Sequence, residues 1–124
     1  MSKTPWAPKG GSIAITDLIG GGVLRAPVTA TVADIARIII DKGVGAVVLG
    51  DEERPDVLVT ERDVVRAVAA GQDVESEPAT EVASRHLLWC ESADTVEKAA
   101  MRMTDKQIRH LLVEEDGLLV GIVS

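Results

Sequence analysis

The chain has 124 residues and a formal net charge of −7, with 46% hydrophobic and 27% charged residues. This composition is typical of a globular protein and gives no support for a disordered chain. The negative charge repels polyanions, and the sequence contains no Phe or Tyr on which bases could stack, so we predict neither a nucleic-acid partner nor a membrane partner. A single cysteine, Cys90, and the absence of a long apolar run predict a cytoplasmic location.

The chain begins with a tail, a strand and a helix. Residues 1–12 are polar and rich in Pro and Gly, which predicts a flexible N-terminal tail. A short strand is expected near Val28. The helix that follows starts at Ala30 or Thr31 and stops at Gly43, because apolar residues recur at helical spacing between these positions.

A hairpin and a second helix complete the first half. The β-branched run Val44–Leu49 and the segment Val57–Val59 flank a polar stretch that contains a proline, which predicts two strands joined by a turn. Glu61–Ala70 is then expected to form a helix that ends at Gly71. We predict that this helix buries three valines: Val64, Val65 and Val68.

Residues 72–79 are an acidic linker, after which the same order returns. A segment at Leu87–Cys90 precedes a helix at Thr95–Lys106, and strands are expected at Ile108–Glu114 and Leu118–Val123. The Asp116-Gly117 dipeptide between these strands predicts a tight hairpin turn.

The two halves align without a gap when the chain is shifted by 64 residues. Thr31 then falls on Thr95, and the pair Asp41-Lys42 falls on Asp105-Lys106. We therefore predict an internal duplication, with one repeat at 13–71 and the other at 80–124. The helix corresponding to Glu61–Ala70 would begin after Ser124, so the second repeat is expected to lack its last helix.

The duplicated order, and the segments VGAVVLGDEERPDVLVTERDVVRAV and IRHLLVEEDGLLVGIVS, resemble a tandem pair of CBS (cystathionine-β-synthase) domains, also called a Bateman module. The resemblance implies an α/β (α+β) fold of two pseudo-symmetric β-α-β-β-α repeats packed sheet to sheet. It also implies a regulatory module, not an enzyme, that binds AMP, ADP, ATP or S-adenosylmethionine in the cleft between the repeats and needs no other cofactor. Such modules usually form homodimers, and an unidentified regulated protein would be a further partner.

Thr60 and Asp63 match the family's Ser/Thr-x-x-Asp pattern at the start of the second helix. The resemblance implies that they contact ribose and phosphate, and a carboxylate can accept both protons of a vicinal diol. The same spacing also describes a capping box, in which Thr60 and Asp63 only stabilise the helix start. Thr31 and Asp34 share that spacing at a helix start where no ligand is expected. The two roles of Thr60 and Asp63 are compatible.

Four further residues are candidates for the ligand site. Arg109 and His110 begin the second repeat's predicted strand pair, where similar modules carry basic residues that meet ligand phosphates. A guanidinium suits that task because its planar fork grips phosphate oxygens, although either side chain could instead face solvent. Gly45 and Ala46 occupy the matching positions of the first repeat, where they would let a base approach the backbone closely.

Other classes of function have weaker support. Cys90 with His86 or His110 could act as a nucleophile and its base, but no activating cation lies beside Cys90 in the sequence. The spacing of these residues matches no zinc pattern, so we predict no metal site. The alternative function is a structural dimerisation or protein-interaction module without a bound nucleotide.

Overall fold

The structure is a computed structural model that describes residues 15, 23–106 and 110–123. The predicted tail at residues 1–12 lies outside this range. The described residues divide into two compact units, one at 23–87 and the other at 88–123 together with Ile15. None of the helices in these ranges is long and apolar enough to cross a membrane.

The first unit is a three-stranded sheet with two helices. In chain order its elements are β1 (Arg25–Ala26), α1 (Val32–Lys42), β2 (Ala46–Leu49), β3 (Leu58–Thr60) and α2 (Glu61–Ala69). The central strand β2 pairs in parallel with β1 and antiparallel with β3. A 3-10 turn at Ala79–Glu81 follows. The predicted strand near Val28 was placed too late, because Val28 lies in the exposed turn after β1.

Local sequence signals determine where α1 begins and ends. Thr31 and Asp34 form a capping box, in which each side chain accepts a hydrogen bond from the backbone N–H of the other residue. Gly43 ends the helix at φ 66°, where its N–H donates to the carbonyl of Ile39. Ile35 and Ile39 pack into the core of the unit with residues from the sheet, so the predicted amphipathic pattern is confirmed for this face.

The orientation of α2 differs from the prediction. Val65 and Val68 are 65% and 59% exposed and Val64 is partly buried, whereas Asp63 and Ala67 are the buried residues of the helix. Asp63 and Ala67 are four residues apart and therefore share one face. This face can be buried although it carries a carboxylate, because hydrogen-bond donors surround Asp63.

The second unit repeats the order of the first as far as its third strand. Its elements are β4 (Trp89–Glu91), α3 (Val96–Lys106), β5 (Leu111–Glu115) and β6 (Leu118–Val123). Strand β5 pairs in parallel with β4 and antiparallel with β6. Its core contains Ile15, Cys90 and Leu111.

The strand registers of the two units correspond at the shift of 64 residues. Arg25 pairs with Val48 in the first unit, and Trp89 pairs with Leu112 in the second, which is the same pair 64 positions later. The Val47 and Val59 pair likewise becomes the pair of Leu111 and Val123. The predicted duplication and the mixed α/β fold class are therefore confirmed.

The turn between β5 and β6 is the one expected from the sequence. Asp116 and Gly117 both have positive φ, at 54° and 80°. Two such residues in succession match the right-handed twist of a hairpin, and Asp-Gly adopts them at low cost. The prediction of a tight hairpin turn at this dipeptide is confirmed.

Candidate functional site

The candidate site lies at the corner where β3 passes into α2. Thr60 is the last residue of β3 and the N-cap of α2. Its N–H donates to Oδ2 of Asp63 at 2.9 Å, and the N–H of Asp63 donates to Oγ1 of Thr60 at 3.1 Å. The capping role considered for this pair is therefore confirmed, and a ligand role, which is compatible with it, stays a prediction.

The Asp63 carboxylate accepts more hydrogen bonds than a helix cap requires. The hydroxyl of Ser84 lies 3.2 Å from Oδ1 and 3.0 Å from Oδ2. Nη1 of Arg66 donates to Oδ1 at 3.0 Å, although the Arg66 side chain is 65% exposed. The Asp63 side chain itself is only 4% exposed. A charged acceptor is thus held inside the first unit, and all of these donors converge on it.

Backbone pairing with β3 positions Ser84. The N–H of Ser84 donates to the carbonyl of Leu58 at 2.7 Å, and the N–H of Leu58 donates to the carbonyl of Ser84 at 3.0 Å. These two bonds form an isolated antiparallel bridge. Ser84 is therefore fixed beside β3 by its main chain, while its hydroxyl can still turn about χ1.

The helix start at Thr31 provides an internal comparison. Its capping box has nearly the same distances, 2.9 Å and 3.2 Å, and Arg37 lies 3.4 Å from Asp34 just as Arg66 lies near Asp63. The Asp34 side chain, however, is 50% exposed, and no hydroxyl group of the described residues donates to it. The Thr31 N–H lowers the pKa of Asp34 below its ordinary value. Burial and the Ser84 hydroxyl therefore distinguish the second Thr-x-x-Asp segment from the first.

Gly45 and Ala46 lie beside this corner. The carbonyl of Gly45 accepts the N–H of Glu61, the first residue of α2, at 3.0 Å. Ala46 is buried and is paired with Thr60 across the sheet. The structure therefore brings together four of the six residues that the sequence analysis proposed for the ligand site; the contact of Gly45 and Ala46 with a base stays a prediction.

The two basic candidates belong to the second repeat. Arg109 lies outside the described residues, and His110 is partly buried directly before β5. Their predicted role toward phosphate stays a prediction.

The sequence analysis did not identify Ser84, which is 21 residues from its acceptor. No local spacing pattern marks a contact of that kind.

The nucleophile and metal alternatives gain no support from the side-chain environments. Cys90 is 3% exposed, and burial raises the pKa of its thiol above the ordinary value. Burial thus disfavours the thiolate form that a nucleophile requires. His86 is exposed. Within the part of the chain that the structure describes, no group of three or more His, Cys, Asp and Glu could hold a metal ion.

Comparison with known proteins identifies relatives of this chain. An alignment of 116 positions, which covers 91% of this chain and 59% of the other, shows 31% identity to an uncharacterised protein of Methanopyrus kandleri. Among solved structures, a CBS domain protein of Pyrobaculum aerophilum in complex with AMP is 34% identical, with a TM-score of 0.81 over 90% of this chain and 87% of that one. A CBS-domain-containing protein of Agrobacterium tumefaciens is 26% identical, with a TM-score of 0.82 over 97% of this chain and 93% of that one.

The family itself follows from a match in both halves of the chain. The family model for the CBS domain matches residues 13–70 and again residues 79–124. The first segment contains β1 to α2 and the second contains β4 to β6, and together the two segments cover more than half of the sequence. The chain therefore belongs to the CBS domain family and carries two copies of that domain.

Proposed function

We propose that this protein is a regulatory module that binds an adenosine-containing nucleotide, with the ribose diol on the carboxylate of Asp63. The observation that carries the proposal is the hydrogen bonding of this carboxylate. It is buried, and it already accepts a hydroxyl group, that of Ser84. A sugar hydroxyl would make the same type of charge-assisted bond.

The surroundings of Asp63 suit a nucleoside. Thr60 and the N-terminus of α2 lie beside it, and the N-terminus of a helix favours a negatively charged group such as a phosphate. Ala46, the first residue of the neighbouring strand β2, has a small side chain and Gly45 directly before it has none, so a flat base could approach the main chain.

The ligand class is supported by the Pyrobaculum aerophilum relative. That protein, which is 34% identical to this chain, is complexed with AMP. We therefore propose AMP as the first ligand to test, followed by ADP, ATP and S-adenosylmethionine. Binding would regulate an unidentified partner protein and would involve no chemical conversion of the nucleotide.

Thermal unfolding with and without AMP tests the proposal. A ligand at about 100 times its dissociation constant stabilises the native state by about 2.7 kcal/mol, so the wild-type melting temperature is expected to rise. Asp63→Asn should abolish this rise, because the variant loses the negative charge but keeps one oxygen for the Thr60 N–H. The matched control is Asp34→Asn, which alters the same capping box at a helix start without a proposed ligand. It should retain the full shift.

Two results would contradict this assignment. If none of the four ligands raises the melting temperature of the wild-type protein, the nucleotide-binding function is wrong and the interaction module becomes the better description. If Asp63→Asn and Asp34→Asn retain equal shifts, a nucleotide binds elsewhere and Asp63 is not its ribose contact. Calorimetric titration of AMP into the wild-type protein distinguishes the two cases, because only the second case gives a binding signal.

The exposed face of α1 and α2, which carries three exposed apolar side chains, supports homodimerisation as a second part of the proposal. Ile40 on α1 is 79% exposed, and on α2 Val65 is 65% and Val68 59% exposed. A shallow groove of about 240 Å³ runs between the two helices, and Val68 is among its lining residues. Apolar surface on helices of a small protein often marks a contact with another chain. We propose that a second copy covers this face.

The mass of the protein in solution tests the proposed homodimer. Sedimentation of the wild type is expected to give a dimer, and Val68→Asp should shift it toward the monomer because a charge would be buried in the contact. Val28→Asp is the control, because Val28 has a similar exposure of 57% but lies in the turn after β1. A monomeric wild type, or equal effects of both variants, would refute a dimer through this face.

A further inference from the structure

Groups of the protein itself use most of the acceptor capacity of the Asp63 carboxylate. An ionised carboxylate offers about four lone-pair positions. The Thr60 N–H occupies one on Oδ2 and the Arg66 guanidinium one on Oδ1. The Ser84 hydroxyl lies within hydrogen-bond distance of both oxygens and, with its single proton, takes a third position, which leaves one. A ribose diol, which needs two acceptor positions, therefore cannot bind until at least one present donor leaves.

Ser84 is the donor that a bound diol would have to replace, because its hydroxyl contacts both carboxylate oxygens. The Thr60 N–H is part of the helix cap, so removing it would disrupt the start of α2. Withdrawal of the exposed Arg66 side chain would free a second position on Oδ1, but the Ser84 hydroxyl would still be within hydrogen-bond distance of both oxygens. The Ser84 main chain is held by two hydrogen bonds to Leu58, so a rotation about χ1 removes the hydroxyl without moving the backbone.

We propose that the Ser84 hydroxyl occupies the place of a ribose hydroxyl in the unliganded protein and that nucleotide binding displaces it. Ser84 is then a positioning residue that acts through Asp63 and sets the affinity of the site. It keeps the buried carboxylate satisfied when no ligand is present, and it weakens binding because its hydrogen bond must break first. This inference rests on the proposed nucleotide-binding function.

Removal of the hydroxyl should therefore have two opposite effects. Without ligand, Ser84→Ala is expected to melt at a lower temperature, because Asp63 loses a buried hydrogen bond. With AMP, the variant is expected to bind about tenfold more tightly, since it has no bond to break first. Tenfold corresponds to about 1.4 kcal/mol, near the lower end of what a hydrogen bond to a charged group contributes. A residue with a merely structural role would weaken binding when removed.

Calorimetric titration of AMP into the full chain, combined with melting of the unliganded protein, measures both effects. Ser84→Thr keeps a hydroxyl and is expected to bind like the wild type. Ser84→Cys replaces it with a weaker donor and should give an intermediate affinity, which keeps the test valid if Ser84→Ala does not fold. The matched control is Ser92→Ala. Ser92 also donates a hydroxyl to a carboxylate, Glu115, at 2.8 Å, but in the second repeat, so its loss should lower the melting temperature without tightening AMP binding.

The outcomes separate this inference from the function on which it rests. Tighter AMP binding by Ser84→Ala, together with unchanged affinity in Ser92→Ala, supports the displacement of the hydroxyl. Equal or weaker binding by Ser84→Ala and Ser84→Cys overturns the role of Ser84, while the wild-type affinity still supports the proposed function. If neither the wild type nor any variant binds AMP or the other three ligands, the proposed function is wrong and the role of Ser84 is overturned with it.

Discussion

The Asp63→Ala substitution tests how much the buried carboxylate contributes to folding when no ligand is present. Asp63 is 3% exposed, and its removal takes the acceptor from the N–H of Thr60, which is itself buried, and from the Ser84 hydroxyl. A buried donor left without an acceptor costs about 1–3 kcal/mol. The loss of the Arg66 contact adds little, because that side chain is exposed.

We expect Asp63→Ala to lower the free energy of unfolding by about 2–4 kcal/mol, since Thr60 contributes a buried N–H and the partly buried Ser84 can turn in part toward water. Asp34→Ala removes the same capping box at an exposed position, so we expect a clearly smaller loss. Urea unfolding followed by far-ultraviolet circular dichroism measures both, provided that the denaturant slope does not change. Equal losses in the two variants would refute the reasoning, because burial and Ser84 would then contribute nothing beyond the cap.

The environments of Cys90 and Asp34 give three further predictions. Because burial raises the pKa of the Cys90 thiol, alkylation at neutral pH should be much slower in the native protein than in urea, and rapid native labelling would contradict this burial. The raised pKa also means that stability from Cys90 is complete below the ordinary thiol pKa and is lost as the pH rises past it; Cys90→Ala should weaken this alkaline loss. The lowered pKa of Asp34 has the opposite sign: its contribution is present above about pH 4 and disappears as the pH falls, so Asp34→Asn should flatten the acid side of the stability curve. An unchanged acid profile would contradict that assignment.

The element order and the duplication could be predicted because they depend on local and periodic signals. Apolar spacing and the Gly43 stop predicted α1, and the Asp116-Gly117 dipeptide predicted the β5–β6 turn. The shift of 64 residues predicted the repeat, and the ladder registers confirmed it. Where the local signals were weak, the predicted position of a strand was wrong by about two residues: β1 has only two residues and lies at Arg25–Ala26 instead of near Val28.

The orientation of α2 could not be predicted from apolar spacing. Three valines suggested one buried face, but the structure turns Asp63 and Ala67 inward and leaves Val65 and Val68 exposed. A hydrophobic pattern assigns a carboxylate to the outside unless its hydrogen-bond donors are known. One of those donors, Ser84, comes from a segment that joins β3 only after the chain has passed through α2 and the linker.

The repeats, the family pattern and the candidates Thr60 and Asp63 can be read from the sequence, because each depends on residues close together in the chain or related by a constant shift. Only the folded chain shows that Asp63 is buried while Asp34 is exposed, although both sit in capping boxes of the same type with an arginine three residues on. The physical reason is that burial of a charge depends on donors that arrive from distant parts of the chain. Here the backbone bridge between Leu58 and Ser84 brings the hydroxyl to the carboxylate.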